Sequence, residues 1–307
     1  MSYAFVFPGQ GSQSLGMMAD MAAEYSLVKA TFEEASDALG YDLWQITQQG
    51  PEEKLNQTDV TQPAMLTAGI ATYRVLAAEK ALSPAFVAGH SLGEYSALVA
   101  AGVMELAQGV KLVETRGRLM QSAVPAGEGA MAAILGLEDQ QIIDICAQAD
   151  GVVEAVNFNS PGQVVIAGAK AAVDAALPKF EAAGAKRVVP LAVSVPSHCS
   201  LMKPAAESLS ETLSAIEFNT SSIPVIHNAS VECYTDAAKI KQALVEQLYQ
   251  PVQWVKTVEL MTAQGVEALF ELGPGKVLMG LNRRIDKKMG MTAVYDAASV
   301  AKALDAL

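Results

Sequence analysis

Ala85-Phe86-Val87-Ala88-Gly89-His90-Ser91-Leu92-Gly93-Glu94-Tyr95 sets a short apolar run directly before a serine flanked by glycines. The run reads as a buried strand, and residues 92–102 read as a helix. Gly89, Ser91 and Gly93 fit the spacing G-x-S-x-G, whose physical content is a sharp strand-to-helix turn. Such a turn forces the serine into a strained, exposed conformation, and glycines on both sides leave room for it. The helix N-terminus beneath offers free N–H groups and a positive dipole end to a developing oxyanion. A serine helix cap in a glycine turn would use the same residues, but the strand and helix on their proper sides favour a nucleophile.

Working outward, short β-rich runs alternate with amphipathic stretches, the pattern of an α/β protein with a largely parallel sheet. Residues 3–7 are expected to form the first buried strand, ending in the turn Pro8-Gly9-Gln10-Gly11-Ser12. Helices are expected near 26–39, 63–80 and 105–122. Residues 127–192 read differently. They give a strand at 129–136, a helix at 138–149, strands at 154–159 and 163–168, a helix at 170–183 and a strand at 186–193. That order is βαββαβ, the ferredoxin-like split unit. The expected architecture is a large α/β subdomain of residues 1–126 and 196–307, with a ferredoxin-like subdomain of residues 127–195 inserted into it. A cleft is expected at the junction. Strands at 224–229, 267–272 and 291–296 should rejoin the large sheet.

Composition limits the classes of function. With 51% hydrophobic and 18% charged residues, the 307-residue chain is too apolar to be disordered. Its formal charge of −12 opposes nucleic-acid binding, which needs a basic face. No run reaches the roughly 18–20 apolar residues that span a bilayer. The first basic residue is Lys29, so a secretory start is not expected and a cytoplasmic protein is. Cys146, Cys199 and Cys233 have no metal-ligand spacing and read as reduced thiols. Only Cys199, beside His198, competes with Ser91 as a nucleophile.

A serine nucleophile needs a base, and the chain has three histidines. His90 precedes the serine and should point away from its hydroxyl. His227 lies in an apolar run and reads as a core residue. His198, in Val195-Pro196-Ser197-His198-Cys199, follows the last strand of the small unit and is expected to face the cleft. No acid between Ser91 and His198 has a strand-end context, so a carbonyl orienting the imidazole would make a Ser–His dyad. In the 105–122 helix, the neighbours of Arg116 three and four residues away are Leu112, Val113, Leu119 and Met120. Those of Arg118 are Glu114, Thr115, Gln121 and Ser122. Arg118 therefore faces solvent, whereas Arg116 points inward, towards either an internal salt bridge or a substrate carboxylate.

The chain resembles the malonyl-CoA:acyl carrier protein transacylases of bacterial fatty-acid synthesis. The likeness rests on FPGQGSQ (7–13), TQPA (61–64), GHSLGEY (89–95), the Arg116 helix, GAMAAI (129–134) and NFNSPGQVVIAG (157–168). It continues through VPSHC (195–199), YQPVQW (249–254) and ELGPGKVL (271–278). The resemblance implies a hydrolase-like parallel-sheet core for the large subdomain, with Ser91 as the acylated nucleophile, His198 as its base and Arg116 as the clamp on the malonate carboxylate. It implies the N–H groups of Gln10 and Leu92 as oxyanion hole and the main-chain carbonyl of Gln250 as the group orienting His198. It also implies malonyl-CoA as substrate and acyl carrier protein as partner, with no metal or redox cofactor. A monomer that binds neither nucleic acid nor membrane is expected. GPGK (273–276) lacks the phosphate-loop frame and reads as a tight turn. Lys186-Arg187 and Arg283-Arg284 with Lys287-Lys288 are candidate docking sites for an acidic carrier protein. A carboxylesterase would keep the elbow but has no use for Arg116. A non-catalytic carrier-binding module would need none of Ser91, His198 and Arg116 in register.

Overall fold

The computed structural model describes residues 1–193 and 195–307. Its strands in chain order are β1 (Tyr3–Phe7), β2 (Phe86–Gly89), β3 (Gly129–Leu135), β4 (Val153–Ser160), β5 (Gln163–Ala169), β6 (Arg187–Pro190), β7 (Val225–Ile226), β8 (Ala268–Leu272) and β9 (Gly290–Val294). Five of them make a parallel sheet in the order β7-β2-β1-β8-β9. β1 is buried along its whole length, which explains why Tyr-Ala-Phe-Val-Phe is apolar without alternation. Phe5 packs edge-on against Tyr3, Tyr73 and Phe270, tying β1 and β8 to the helix Thr58–Glu79. That helix is buried on nearly every side, so its sequence shows no polar face to read.

The other four strands form a separate antiparallel sheet in the order β4-β5-β3-β6, built entirely from Gly129–Pro190. The helices Asp139–Ala147 and Lys170–Ala182 cover one face through Ile142, Val173, Ala176 and Phe180. The segment before the helix Trp254–Ala263 joins the antiparallel sheet where Val252 bridges β4. Val252 N donates to the Val156 carbonyl at 2.8 Å, and Phe158 N donates to the Val252 carbonyl at 3.0 Å. Glu154 on β4 also accepts from the backbone N–H of Ser200, at 3.1 Å. These bonds fix the walls of the cleft. No helix among the described residues is long and apolar enough to cross a membrane.

Two strands are shorter than their sequences suggest. The expected strand at 186–193 pairs only over Arg187–Pro190, and one further bond, from Leu191 N to the Met131 carbonyl at 2.9 Å, closes the ladder. Leu191, Ala192 and Val193 lie beyond the strand and line the cleft. The expected strand at 224–229 pairs only at Val225 and Ile226. His227 and Asn228 then turn away from the edge, and the Asn228 N–H goes to the Glu94 carboxylate at 2.9 Å instead of to a neighbouring strand. GPGK is a tight turn, with Gly273 and Gly275 at φ of 125° and 81°.

Candidate active site

β2 ends at Gly89 and the helix Gly93–Ala100 starts four residues later, with Ser91 at the corner. Ser91 has φ of 52°, in the left-handed region that a serine rarely occupies. The flanking glycines are steric requirements. A Cβ on Gly89 would lie 1.9 Å from the Gly93 backbone, and one on Gly93 would lie 2.1 Å from the Phe7 carbonyl oxygen. Asn228 clamps the corner from the edge of the sheet. Its Oδ1 accepts from Ser91 N at 2.7 Å and its Nδ2 donates to the Gly89 carbonyl at 2.6 Å.

His198 Nε2 lies 2.8 Å from Ser91 Oγ. His198 is also held at positive φ, 66°, and is almost fully buried. Burial, reinforced by the Arg116 charge, pulls its pKa down to about 3. The ring is therefore neutral near pH 7, with one nitrogen free to accept the serine proton. Its Nδ1 donates to the main-chain carbonyl of Gln247 at 2.7 Å. This corrects the assignment to Gln250. The helix Ala237–Gln247 ends at Gln247, and carbonyls in a last helical turn have no intrahelical partner. Gln247 and Leu248 thus offer their oxygens to His198, Leu248 taking the backbone N–H at 3.0 Å. Gln250 lies beyond that turn and is exposed. The ring's second contact is a carbonyl rather than an acid, as a dyad requires.

Arg116 sits on the buried face of the helix Leu106–Ala123 and is 1% exposed. Its Nη1 donates to Gln62 Oε1 at 3.0 Å, and its Nη2 donates to Gln247 Oε1 at 2.9 Å and to Ser91 Oγ at 3.4 Å. The guanidinium carbon lies 5.3 Å from the Tyr95 ring centre. Every hydrogen-bond partner is neutral, and Nε has none among the described residues. Among the described residues, the internal salt bridge that the sequence left open is not formed. Arg118, by contrast, is exposed and pairs with Glu114 at 2.7 Å. A cavity of about 400 Å³ opens over these groups, with Gln10, Ser91, Arg116 and His198 on its wall and Met131 and Asn157 of the antiparallel sheet opposite. Leu92 is the buried residue between Ser91 and the first turn of the following helix.

The remaining candidates fall away. His90 turns from the hydroxyl to Asn159 Oδ1, at 2.7 Å. His227 Nδ1 contacts the buried Glu94 carboxylate at 2.7 Å, making it a core residue as expected. Cys199 is buried, its thiol pushed up to about 12 by desolvation, so it stays protonated. Sequence reading assigned no role to Gln62, Glu94, Asn228 or Gln247. Gln62 and Glu94 stood inside quoted motifs, TQPA and GHSLGEY, but a neutral amide or a lone acid on a helix carries no local signal of its partner.

An acyl transferase domain model matches residues 4–301. The chain is 59% identical over 305 residues to the malonyl CoA-acyl carrier protein transacylase of Escherichia coli K12, covering 99% of each. It is 43% identical to the Bacillus subtilis protein of the same name, covering 99% of this chain and 96% of that one. Among solved structures, an acyl carrier protein S-malonyltransferase from Vibrio cholerae superposes with a TM-score of 0.97 at 59% identity, covering 99% of this chain and 100% of that one. A malonyl-transacylase in complex with a type II PKS acyl-carrier protein superposes with a TM-score of 0.99 at 54% identity, each chain covered completely.

Proposed function

We propose, from the premise that this chain belongs to the malonyl CoA-acyl carrier protein transacylase family of acyl transferases, that it moves a malonyl group from malonyl-CoA to the phosphopantetheine thiol of an acyl carrier protein. The transfer runs in two steps through a malonyl ester on Ser91. His198 Nε2 takes the hydroxyl proton as Ser91 Oγ attacks the thioester carbonyl carbon. The carbonyl oxygen, now an anion, is met by the N–H groups of Gln10 and Leu92. Removing one such donor typically costs about 10²–10³ in rate. The tetrahedral intermediate collapses, the C–S bond breaks, and the leaving CoA sulfur takes the proton from His198. The carrier-protein thiol then enters, gives its proton to His198, attacks the ester carbon, and Ser91 regains its hydrogen.

The observation that carries this reading is Arg116. It is a buried cation beside the nucleophile whose hydrogen bonds go only to neutral atoms. An acyl group ending in a carboxylate supplies the missing anion, and a guanidinium grips a carboxylate with two parallel hydrogen bonds. A neutral ester offers no such partner. The large subdomain, residues 1–126 and 196–307, provides Ser91, Arg116 and His198, while the small one, 127–195, closes the acyl cavity. The chemistry as written needs no metal or redox group, and malonyl-CoA is a substrate. All the groups come from one chain, so a monomer suffices, and three free thiols fit the reducing cytoplasm.

Mixing the protein with malonyl-CoA and measuring intact mass tests the reading. A malonyl adduct that maps to the 89–95 peptide and is discharged by holo acyl carrier protein supports it. Labelling that persists in Ser91→Ala, or steady hydrolysis with no discharge to the carrier, overturns it.

A further inference from the structure

We propose that Glu94, three residues past the nucleophile, is the positioning residue of this site, and that it acts on Arg116 through Gln247. This inference rests on the reading of Arg116 as the acyl-carboxylate clamp. Glu94 has no solvent exposure. A carboxylate so placed is costly unless its oxygens are filled, and here they are. Oε1 faces His227 Nδ1 at 2.7 Å, while Oε2 accepts from Asn228 N at 2.9 Å and from Gln247 Nε2 at 2.8 Å. Glu94 faces His227 and not His198, so it is not a triad acid.

The consequence lies in the orientation of the Gln247 amide. That amide has one donor end and one acceptor end, and either could face Arg116. A carboxylate accepts only, so Glu94 draws the NH₂ end to itself. The Ser91 carbonyl, which takes the same Nε2 at 2.9 Å, pulls the same way. Oε1 is thereby turned to Arg116 Nη2, at 2.9 Å. Together with Gln62 it fixes the guanidinium beside Ser91 Oγ. A single amide separates the Glu94 and Arg116 charges. The two form no direct ion pair, and the arginine keeps donors for the substrate. Asn228 is held by the same carboxylate and in turn clamps the strained Ser91 corner.

Glu94→Gln tests this, because it keeps the shape and removes the charge that orients Gln247. Ser91 loading should be followed by rapid-quench intact mass with malonyl-CoA and with acetyl-CoA. Malonyl loading should fall roughly ten- to a hundredfold, the range for a lost hydrogen bond to a charged group, while acetyl loading falls by less. Adding Glu94→Gln to Gln247→Ala should then change the malonyl-to-acetyl ratio little further, since the link is already cut. A merely structural role would lower both rates together. An unchanged ratio in Glu94→Gln, or full additivity in the double variant, overturns the proposal. If Glu94→Gln does not fold, Gln247→Ala alone decides, because it cuts the link yet leaves the main-chain carbonyl on His198. A malonyl-selective loss supports the proposal, and equal losses overturn it. Absence of any malonyl adduct on the unsubstituted protein would instead overturn the functional reading beneath it.

Discussion

Arg116 Nη2 lies 3.4 Å from Ser91 Oγ, so the buried cation and the nucleophile share one wall of the cavity. An acyl chain attached to that oxygen has its far end within reach of the guanidinium only if the chain is short. On the proposed reading, a three-carbon diacid on that oxygen brings its free carboxylate to the guanidinium, so Arg116 would select the acyl group as well as bind it.

Arg116→Ala should therefore weaken malonyl loading by about 2–5 kcal/mol, the range for breaking a desolvated charge pair. Acetyl loading should suffer less or improve, because no carboxylate is lost. Rate constants for Ser91 acylation with the two thioesters check this. Equal losses would make the arginine structural.

On the proposed mechanism, His198 sets the pH dependence. Its pKa is lowered to about 3, first by burial and then by Arg116, so the neutral ring that accepts the proton persists well below the ordinary histidine value. The loading rate should stay flat from about pH 8 to about pH 5, with no inflection near the unperturbed value of about 6.5. A fall in kcat/KM centred there would show a normally titrating base.

The same shift has a consequence for stability. Unfolded, His198 takes up a proton below about pH 6.5, and the folded ring does not until about pH 3. His90 is shifted in the same direction by burial. Their contribution is present above the unfolded pKa and is lost as pH falls towards the folded one. Urea midpoints at pH 7.5 and pH 5 should thus differ, the lower belonging to pH 5. His198→Gln should shrink the difference.

Gly89→Ala should cost about 3 kcal/mol or more, because its Cβ would sit 1.9 Å from the Gly93 backbone, which no rotamer change relieves. A urea midpoint within error of the unsubstituted protein would mean the elbow is looser than its geometry.

Docking of the carrier protein is testable at a single groove. Lys186 and Arg284, one from each basic cluster, line the same depression, and Arg284 reaches across to Gln163 of β5. At a net charge of −12 the chain as a whole repels an acidic partner, so local basic residues must steer it. Lys186→Glu with Arg187→Glu should raise KM for the carrier protein, most at low salt, and leave malonyl-CoA loading of Ser91 nearly unchanged. Identical carrier kinetics at low ionic strength would place the docking surface elsewhere.

What the sequence by itself determined is what short-range geometry encodes. An apolar run, two glycines and a serine specify the elbow, since the turn admits few other residues at those positions. Spacing of three and four on a helix placed Arg116 inside and Arg118 outside, because both faces are written within one helix. The βαββαβ order of residues 127–192 followed from alternating periodicities, and its antiparallel sheet has the strand order of that unit. Tertiary structure alone decided which distant polar groups meet. Gln247 lies 131 positions from Arg116 and 153 from Glu94, and Asn228 lies 137 from Ser91. A neutral amide has no charge or periodicity to announce its partner, so only the packed cleft reveals it. The carbonyl that orients His198 belongs to Gln247 rather than Gln250 for a related reason. Where a helix stops, and hence which carbonyls it leaves free, is set by what the last turn packs against.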